Sequence, residues 1–325
     1  MPGRRILITG VGSYIGSALA RRLEDDPSVE HVAGLDTREP LAPLRRTAFI
    51  EADLRDQSIA TLIPQQEVDT VVHNQIVRRP GPGMSTRTMH DINVIGTLQL
   101  LTACERSPSI RTIVIRGSAG IYGAEPQAPQ FFGEELARLY PLRTRFQRDV
   151  GEIENLFDTY ARRHPEVTCT MLRYQPAIGA ALSSQITRYL AAPVAPTYLG
   201  FDPRIQVVHE QDGLGALAAA VANPVRGPVN VASPGTIGLQ RMIRLAGRAP
   251  LPVAGPLFGA SVDALRRLGL PELSPDFRRL LRYGRAVDTT RLTREVGFQP
   301  SYTTPSAVEE FARGAGRRMV EEAAA

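Results

Sequence analysis

The sequence predicts an α/β protein, with a doubly wound parallel sheet followed by a smaller C-terminal lobe. Three observations support this fold class. Short runs rich in β-branched residues alternate with stretches of helical periodicity through the first half of the chain. A glycine-rich turn joins the first run to the first helical stretch, and the acidic residue Asp36 closes the second run. After about residue 176 prolines multiply and the helical stretches become shorter.

The alternation assigns the elements in chain order. Strands are predicted at 5–9, 31–35, 48–51, 70–73, 112–116 and 167–172, and two more return to the sheet at 206–209 and 229–232. Apolar residues at helical spacing predict helices around 15–23, 92–101 and 153–160, and a closing helix at about 306–322. In sheets of this kind ligands bind at the carboxyl ends of the strands.

The glycine-rich turn is typical of a dinucleotide phosphate site. Glycines allow backbone N–H groups to approach a pyrophosphate, and the N-terminus of the next helix adds partial positive charge. The residues expected to contact the cofactor here are Gly10, Gly12, Ser13, Tyr14, Ile15 and Gly16. A plain tight turn is the alternative, but the strand before it and the helix and acid after it favour the cofactor site.

Asp36 and Arg38 give conflicting indications about the cofactor. A carboxylate at the end of the second strand accepts hydrogen bonds from the adenosine ribose and favours NAD. Arg38 could pair with a 2′-phosphate and favour NADP, or belong to a solvated turn. Asp53 and Leu54 follow the third strand and are expected to flank the adenine, although Asp53 could instead cap a helix. The expected cofactor is NADPH, with NADH possible.

Composition excludes several classes of function. All 38 residues counted as Lys+Arg are arginine, so a Schiff-base lysine and a P-loop lysine are both absent. The net charge of +5 is small and dispersed, which argues against nucleic-acid binding. The first apolar run is too short for a secretory signal or a membrane span, so a cytoplasmic protein without a membrane partner is expected. Cys104 and Cys169 are expected to be buried thiols, and no metal site is predicted.

Several motifs together resemble the extended short-chain dehydrogenase/reductase family, which includes nucleotide-sugar epimerases and dehydratases. The matching segments are 9–16 (TGVGSYIG), 53–54 (DL), 93–97 (NVIGT), 118–123 (SAGIYG), 172–176 (LRYQP), 209–212 (HEQD), 288–291 (DTTR) and 297–298 (GF). This resemblance implies a Rossmann-type fold and a nicotinamide cofactor, with Asn74, Asn93 and Pro176 among its binding residues. It also implies that Ser118 is a catalytic residue.

The change in composition after about residue 176 predicts a division of the chain. Residues 1–175 form the dinucleotide-binding domain, to which 206–235 return. The segments 176–205 and 236–300 form a substrate-binding lobe or lid, and 301–325 the C-terminal helix. Within the lobe, the stretch from about 251 to 281 is expected to be either a lid over an apolar substrate or a fixed part of the lobe.

The departures from the family pattern affect the catalytic helix most. The family places YxxxK there, followed four residues later by an acid. Glu154 occupies the position of that acid, which puts Phe146 at the tyrosine and Val150 at the lysine. Ser13 replaces a glycine of the phosphate loop, Asn74 stands where the family often has alanine, and Pro176 replaces an asparagine.

With Ser118 retained and the tyrosine and lysine lost, the expected function is an atypical NADPH-dependent ketoreductase. Its substrate would be an aromatic ketone of the polyketide type, in antibiotic biosynthesis, because a phenol next to the carbonyl can supply the proton that the protein lacks. A catalytically silent dinucleotide-binding sensor or scaffold is the alternative. Nucleotide-sugar epimerisation or dehydration is disfavoured, because each requires a base that is not present. The oligomeric state is left open.

Two further side chains and one segment also carry expectations. Tyr122 is expected to pack, and His73 to be a hydrogen-bonded core histidine rather than a base. The segment from Arg78 to residue 83 follows the fourth strand, and it is expected either to clamp an anionic group or to form a solvated loop.

Overall fold

The computed structural model describes residues 3–41, 43–78, 83–267 and 270–324, with the side chains of the last helix described through residue 314. The strands are β1 (Arg4–Thr9), β2 (Val29–Asp36), β3 (Thr47–Glu51), β4 (Thr70–His73), β5 (Thr112–Ser118), β6 (Thr168–Tyr174), β7 (Ala177–Ile178), β8 (Val194–Tyr198), β9 (Arg204–Ile205), β10 (Val208–His209), β11 (Gly227–Val231), β12 (Ile237–Gly238) and β13 (Ala249–Val253). The helices are α1 (Tyr14–Glu24), α2 (Ile59–Gln65), α3 (Thr86–His90), α4 (Gly96–Glu105), α5 (Arg145–Arg163), α6 (Gln185–Ala191), α7 (Glu210–Ala222), α8 (Leu239–Leu245), α9 (Phe258–Arg266), α10 (Pro275–Tyr283), α11 (Thr290–Arg294) and α12 (Thr304–Ala324).

A seven-stranded parallel sheet forms the centre of the fold, in the order β11-β6-β5-β4-β1-β2-β3. The chain moves outward in one direction from β1 to β3 and then crosses back to β4, so the strand order reverses between β1 and β4. This reversal opens a crevice at the carboxyl ends of these strands, where sheets of this kind bind ligands. The predicted Rossmann-type α/β class is confirmed.

The central strands are buried on both faces, which explains their continuous apolar sequence. In β1, Ile6, Leu7 and Ile8 are all fully buried. Ile6 and Ile8 belong to the core on one face of the sheet, with α1 and α7, while Leu7 belongs to the core on the other face, with α2, α4 and α5. Packing on both sides holds the carboxyl ends of the strands rigidly in place, which favours a precise binding site.

The smaller lobe has its own apolar core. Residues of α6, α8, α9, α10 and α12 contribute to it, around the parallel pair β8 and β13. Tyr198 and Phe258 stack with ring centroids 3.7 Å apart, and Phe277 packs edge-on against Tyr189. Within the described part of the chain, no helix combines the length and the apolar character that crossing a membrane requires.

Six predicted strands agree with the structure to within two residues at either end, and 229–232 becomes β11 at the edge of the main sheet. The prediction for 206–209 was wrong in one respect. Only Val208–His209 is a strand, and it pairs with β7 in a separate two-stranded sheet. The helix predicted at 92–101 begins with a π-helical turn at Asp91–Ile95, and its residues Ile95 and Leu98 are exposed rather than buried.

Candidate functional site

The glycine-rich loop between β1 and α1 has the conformation that a phosphate cradle requires. Gly10 has a φ of +72°, a left-handed value that favours glycine. A Cβ at Gly16 would lie 2.2 Å from the carbonyl oxygen of Gly10, and one at Gly12 would lie 2.6 Å from that of Arg38. Ser13, the departure from the family pattern, caps α1 by accepting the Gly16 N–H at 3.1 Å. Ser13 thus supports the loop, while Tyr14 and Ile15 open the helix.

Asp36 is buried at the end of β2, directly beside this loop. Its Oδ2 accepts the Gly12 N–H at 3.0 Å, and its Oδ1 accepts the Arg38 N–H at 3.1 Å. Each oxygen keeps a further acceptor site for a ribose hydroxyl. The Arg38 side chain is exposed.

Asp53 and Leu54 lie at the next strand end, after β3. The Asp53 carboxylate pairs with Arg55, and this pairing and the hydrogen bonds between them lower its pKa. The alternative role of Asp53 as a helix cap was wrong, because α2 begins at Ile59 with Ser58 before it. Leu54 is buried against the start of α4, so its side chain serves the core and only its backbone can face a ligand.

Asn74 connects the end of β4 to the phosphate loop. Its Nδ2 donates to Ser13 Oγ at 3.0 Å and lies 3.3 Å from the Gly10 carbonyl. Its Oδ1 and the Oε1 of Gln75 are buried without a hydrogen-bond partner among the described residues. Buried acceptors of this kind need a donor, and a dinucleotide carries hydroxyl and amide donors. The glycine cradle and these two acceptors together fit a bound dinucleotide.

Asn93 positions the segment that follows β4. Its amide donates to the Val77 carbonyl at 2.8 Å and accepts the Val77 N–H at 2.7 Å. Its Nδ2 also lies 3.1 Å from Asp149 Oδ2, and Asp149 Oδ1 lies 2.9 Å from His90 Nδ1. The hydrogen bond to Asp149 raises the pKa of His90. In this arrangement Asn93 has a structural role: it holds the backbone of Val77, in the segment that leads from β4 to the cleft.

Ser118, at the end of β5, and Phe146, near the start of α5, both lie beside Gly120. A methyl group placed on Gly120 would lie 3.2 Å from both the Ser118 Oγ and the Phe146 ring. Ser118 Oγ accepts the Gly120 N–H at 3.1 Å. Val150, one turn further along α5, is buried among apolar neighbours. Phe146, Ser118 and Pro176 line the same cleft, whose volume is about 230 Å³.

A buried ion pair fixes α5 against β6 below this cleft. Both oxygens of Glu154 accept hydrogen bonds from the Arg173 guanidinium at 2.9 Å. Arg173 also donates to the Tyr122 hydroxyl, which in turn donates to Asn230 Oδ1 at 2.7 Å. Burial raises the pKa of Tyr122 to about 12. Tyr122 therefore packs as predicted, and its proton is directed away from the cleft.

Two other predictions concern the core. His73 is fully buried between the hydroxyls of Thr9 and Thr97, at 2.7 and 2.9 Å, so it is the expected core histidine. Cys104 and Cys169 are buried and unpaired, also as expected, and burial raises the pKa of both thiols.

Sequence reasoning missed a cluster of charged side chains in the cleft. This cluster includes Arg78, Arg116, Asp276 and Arg285. Of the segment 78–83 that was predicted to clamp an anion, only Arg78 and Gly83 are among the described residues. Burial and two neighbouring guanidinium groups lower the pKa of Arg78 to about 9. Burial also lowers the pKa of Arg116 and Arg285 and raises that of Asp276. An arginine inside the otherwise apolar strand run TIVIRGS was the available signal.

The family of the chain follows from a match that spans most of this architecture. The model of the NAD dependent epimerase/dehydratase family matches residues 6–232, which include the phosphate loop, Ser118 and β11. The chain belongs to this family. The resemblance predicted from the motifs is thereby confirmed, and the family is one of NAD-dependent enzymes. The interpretation of Phe146 and Val150 as replacements for the tyrosine and lysine stays a prediction, as do the individual roles of the cofactor-binding residues.

Relatives of this family member include proteins of known and unknown activity. An uncharacterised protein of Mycobacterium tuberculosis is 37% identical over 317 residues, spanning 96% of this chain and 84% of the relative. The UDP-glucose 4-epimerase of Stenotrophomonas maltophila, with bound NAD and formylated UDP-arabinopyranose, has a TM-score of 0.74 at 18% identity, covering 98% of this chain and 99% of that one. The dTDP-glucose 4,6-dehydratase of Bacillus anthracis, in complex with NAD, has a TM-score of 0.71 at 16% identity, covering 97% of both chains. At these identities the solved structures establish the fold alone.

Proposed function

We propose that the protein is an NAD(P)H-dependent reductase of an aromatic ketone of the polyketide type, acting in antibiotic biosynthesis. Ser118 holds the carbonyl oxygen, and a phenol of the substrate or a water molecule supplies the proton. The chain resembles in this respect the angucyclinone ketoreductase of simocyclinone biosynthesis, which also lacks the family tyrosine. The polyketide substrate rests on that resemblance, and the reductase chemistry rests on the site.

One observation carries the reductase chemistry: an aromatic ring without an exchangeable proton stands beside the Ser118 hydroxyl. Because Ser118 Oγ accepts the Gly120 N–H, its own proton remains available to a substrate oxygen. The nearby hydroxyls of Tyr122 and Tyr174 donate elsewhere, to Asn230 and to the Gly213 carbonyl. Ser118 can therefore stabilise an oxyanion, and neither tyrosine offers that oxyanion a phenolic proton.

The cleft also suits a flat apolar substrate. Its apolar lining residues are Ile76, Phe146, Leu182, Ile186, Phe277 and Leu280. They come from both the dinucleotide-binding part and the smaller lobe, so a substrate held between them is shielded from water on two sides. Exclusion of water strengthens the hydrogen bond that Ser118 makes to a developing oxyanion.

The cofactor site favours NADH over NADPH. When bound, the reduced dinucleotide supplies the hydride. The buried Asp36 carboxylate is held by two backbone N–H groups, and a 2′-phosphate placed there would be repelled by its charge. Arg38 is exposed and pays a large entropic cost to hold such a phosphate. We therefore propose tighter binding of NADH, in contrast to the preference for NADPH expected from the sequence.

Anaerobic mixing of the protein with each reduced dinucleotide and a panel of peri-hydroxy quinones tests the proposal. We expect oxidation of the cofactor, and a rate about 10²-fold lower for Ser118→Ala because an oxyanion donor is lost. The matched control is Ser301→Ala, at an exposed serine that does not line the cleft, and it should react at the native rate.

Asp276→Asn separates two sources of the proton. Asp276 is the one carboxyl group among the described residues that line the cleft. If the substrate supplies the proton, the amide variant still turns over. If turnover falls sharply and the residual rate no longer declines along the alkaline limb of the native pH profile, Asp276 is the acid and the proposal is wrong.

A nucleotide sugar is the second candidate substrate. Two observations favour it: solved relatives carry UDP sugars, and the cleft contains arginines that can pair with a pyrophosphate. Epimerisation needs a base beside Ser118, and Phe146 cannot serve as one. Incubation with UDP-glucose and UDP-glucuronic acid, followed by sugar analysis, decides between the candidates. The sensor alternative is supported instead if dinucleotides bind and neither substrate class reacts.

A further inference from the structure

Four arginines line the cleft that contains Ser118. One of them, Arg188 of α6, donates to the Ser184 carbonyl, and the other three come from separate parts of the chain. Arg116 lies within β5, Arg78 follows β4, and Arg285 precedes α11. Asp276, in the first turn of α10, lines the same cleft. With Asp276 ionised, the four positive charges and one negative charge of the lining residues sum to +3, and with Asp276 protonated they sum to +4. The cleft is positive in either case.

Arg116 stands next to the position of the reacting oxygen. Arg116 and Ser118 are two residues apart on β5, so their side chains leave the same face of the strand, with Cα atoms roughly 6.6 Å apart. The Arg116 guanidinium carbon lies 4.9 Å from the centre of the Tyr174 ring, and Tyr174 is the β6 partner of Ser118 in the sheet register. A group that contacts Arg116 is therefore close to a carbonyl held by Ser118.

The hydrogen bonds recorded for these guanidinium groups leave capacity for a ligand. The Nε of Arg116 is buried and has no hydrogen-bond partner among the described residues. Arg285 donates to Gln175 Oε1 at 3.3 Å and to the Gly123 carbonyl at 3.2 Å, and both of these acceptors are neutral. Asp276 can balance only one of the positive charges in the cleft, and an excess of positive charge is costly where it is shielded from water. An anion in the cleft would relieve that cost.

We infer that Arg78, Arg116 and Arg285 form an anion site that selects carbonyl substrates with an ionisable hydroxyl group next to the reacting carbonyl. This inference rests on the proposed reductase function and names the feature that its substrate must carry. The arginines stabilise the negative charge that reduction leaves behind, but they do not supply the proton.

The charge follows from the balance of the step. Hydride addition forms a new C–H bond at the carbonyl carbon and moves the carbonyl π electrons onto its oxygen. That oxygen takes the proton of the neighbouring hydroxyl, whose O–H bond breaks, and the negative charge comes to rest on the second oxygen. The substrate gains two electrons and the dinucleotide loses them. Solvent later returns one proton, and until then the guanidinium groups hold the anion.

A binding measurement tests the anion site without any turnover. The probe is 5-hydroxy-1,4-naphthoquinone, whose phenol and phenolate forms absorb at different visible wavelengths, titrated against pH on the full chain with oxidised NAD. We expect the pKa of the bound phenol to fall by about one to three units relative to the free probe. Arg116→Met should lose most of that shift, and Arg116→Lys should keep part of it. Arg148→Met, an exposed arginine of α5, is the control and should keep all of it.

Two outcomes would overturn the inference. One is an unchanged or raised phenol pKa for the bound probe. The other combines two results: UDP displaces the probe only when Arg116 is present, and the pKa of the bound phenol does not change. That combination would identify a nucleotide diphosphate site. If the shift appears but reduced NAD is not oxidised by the probe, the anion site stands and the reductase proposal fails. Should Arg116→Met not fold, Arg285→Met provides the second test of the same site.

Discussion

Removing the Glu154 carboxylate should destabilise the protein far more than an ordinary surface substitution. Glu154 and Arg173 are almost completely buried, with 5% and 6% of their side chains exposed. Two parallel hydrogen bonds of 2.9 Å join them, so Arg173 has a full counter-charge in the native protein. In Glu154→Gln the guanidinium keeps one acceptor but loses that charge.

The magnitude follows from this geometry. Leaving one member of a buried pair without its partner costs about 3–5 kcal/mol. The amide oxygen of glutamine preserves one hydrogen bond, which returns about 1 kcal/mol of that loss. We therefore expect Glu154→Gln to lower the free energy of unfolding by about 3 kcal/mol. Urea unfolding followed by circular dichroism measures the difference between the variant and the native protein.

The control and the double variant make this result interpretable. Glu152→Gln, two residues earlier on the exposed side of α5, should change stability by less than about 0.5 kcal/mol. Glu154→Leu combined with Arg173→Met removes both charges and should recover part of the loss. If Glu154→Gln lowers the free energy of unfolding no more than Glu152→Gln does, the ion pair does not hold α5 against β6. The position of Phe146 near Ser118 would then not depend on Glu154.

Three further predictions concern the titration of the core, the missing acid and the cofactor. Burial lowers the pKa of His73 from 6.5 to about 4. Below pH 6.5 the unfolded chain therefore takes up a proton that the folded chain does not, and the free energy of unfolding falls as the pH is lowered. Between pH 7 and pH 5 this amounts to about 2 kcal/mol; urea unfolding at both values should show a smaller loss for His73→Asn. Phe146→Tyr should not raise kcat for a peri-hydroxy quinone, and a large gain in stopped-flow measurements would argue against a proton from the substrate. Asp36→Ala should weaken NADH more than NADPH in calorimetric titration, whereas equal losses would remove Asp36 from the ribose site.

The sequence predicted those parts of the site that lie close together along the chain. The phosphate loop follows β1, whereas Asp36 and Ser118 end β2 and β5. The apolar runs of these strands are easy to identify, and local spacing decides the position of each group. The small strand at Val208–His209 was assigned to the wrong sheet, because two residues carry no information about their partner. Ile95 and Leu98 fit the apolar periodicity of a buried helix face and are nevertheless exposed. Periodicity alone does not reveal which face of a helix has no neighbouring element.

The charged half of the cleft could not be predicted, because its members meet only through the tertiary fold. Arg78 and Arg116 follow or belong to adjacent strands, whereas Asp276 and Arg285 come from the smaller lobe more than 150 residues later. From the sequence alone, Arg285 is indistinguishable from a solvated arginine and Asp276 from an acid in the first turn of a helix. Arg78 was singled out at the start of the segment expected either to clamp an anionic group or to form a solvated loop. Arg116 gave a second usable signal, because a charged residue in the middle of a buried strand requires a partner.

If Phe146 and Val150 replace the tyrosine and lysine as predicted, the same arrangement explains how the proposed chemistry can persist. In the family, as the resemblance implies, the lysine supplies positive charge and the tyrosine supplies a proton. Guanidinium groups can take over the first role, because they remain charged even when burial lowers the pKa of Arg78 to about 9. They cannot take over the second at neutral pH, since a group that holds its proton so firmly is a poor acid. If the arginines replace only the charge, the proton must travel with the substrate, and the pH dependence of reduction should follow the acidity of the substrate rather than that of any residue in the cleft.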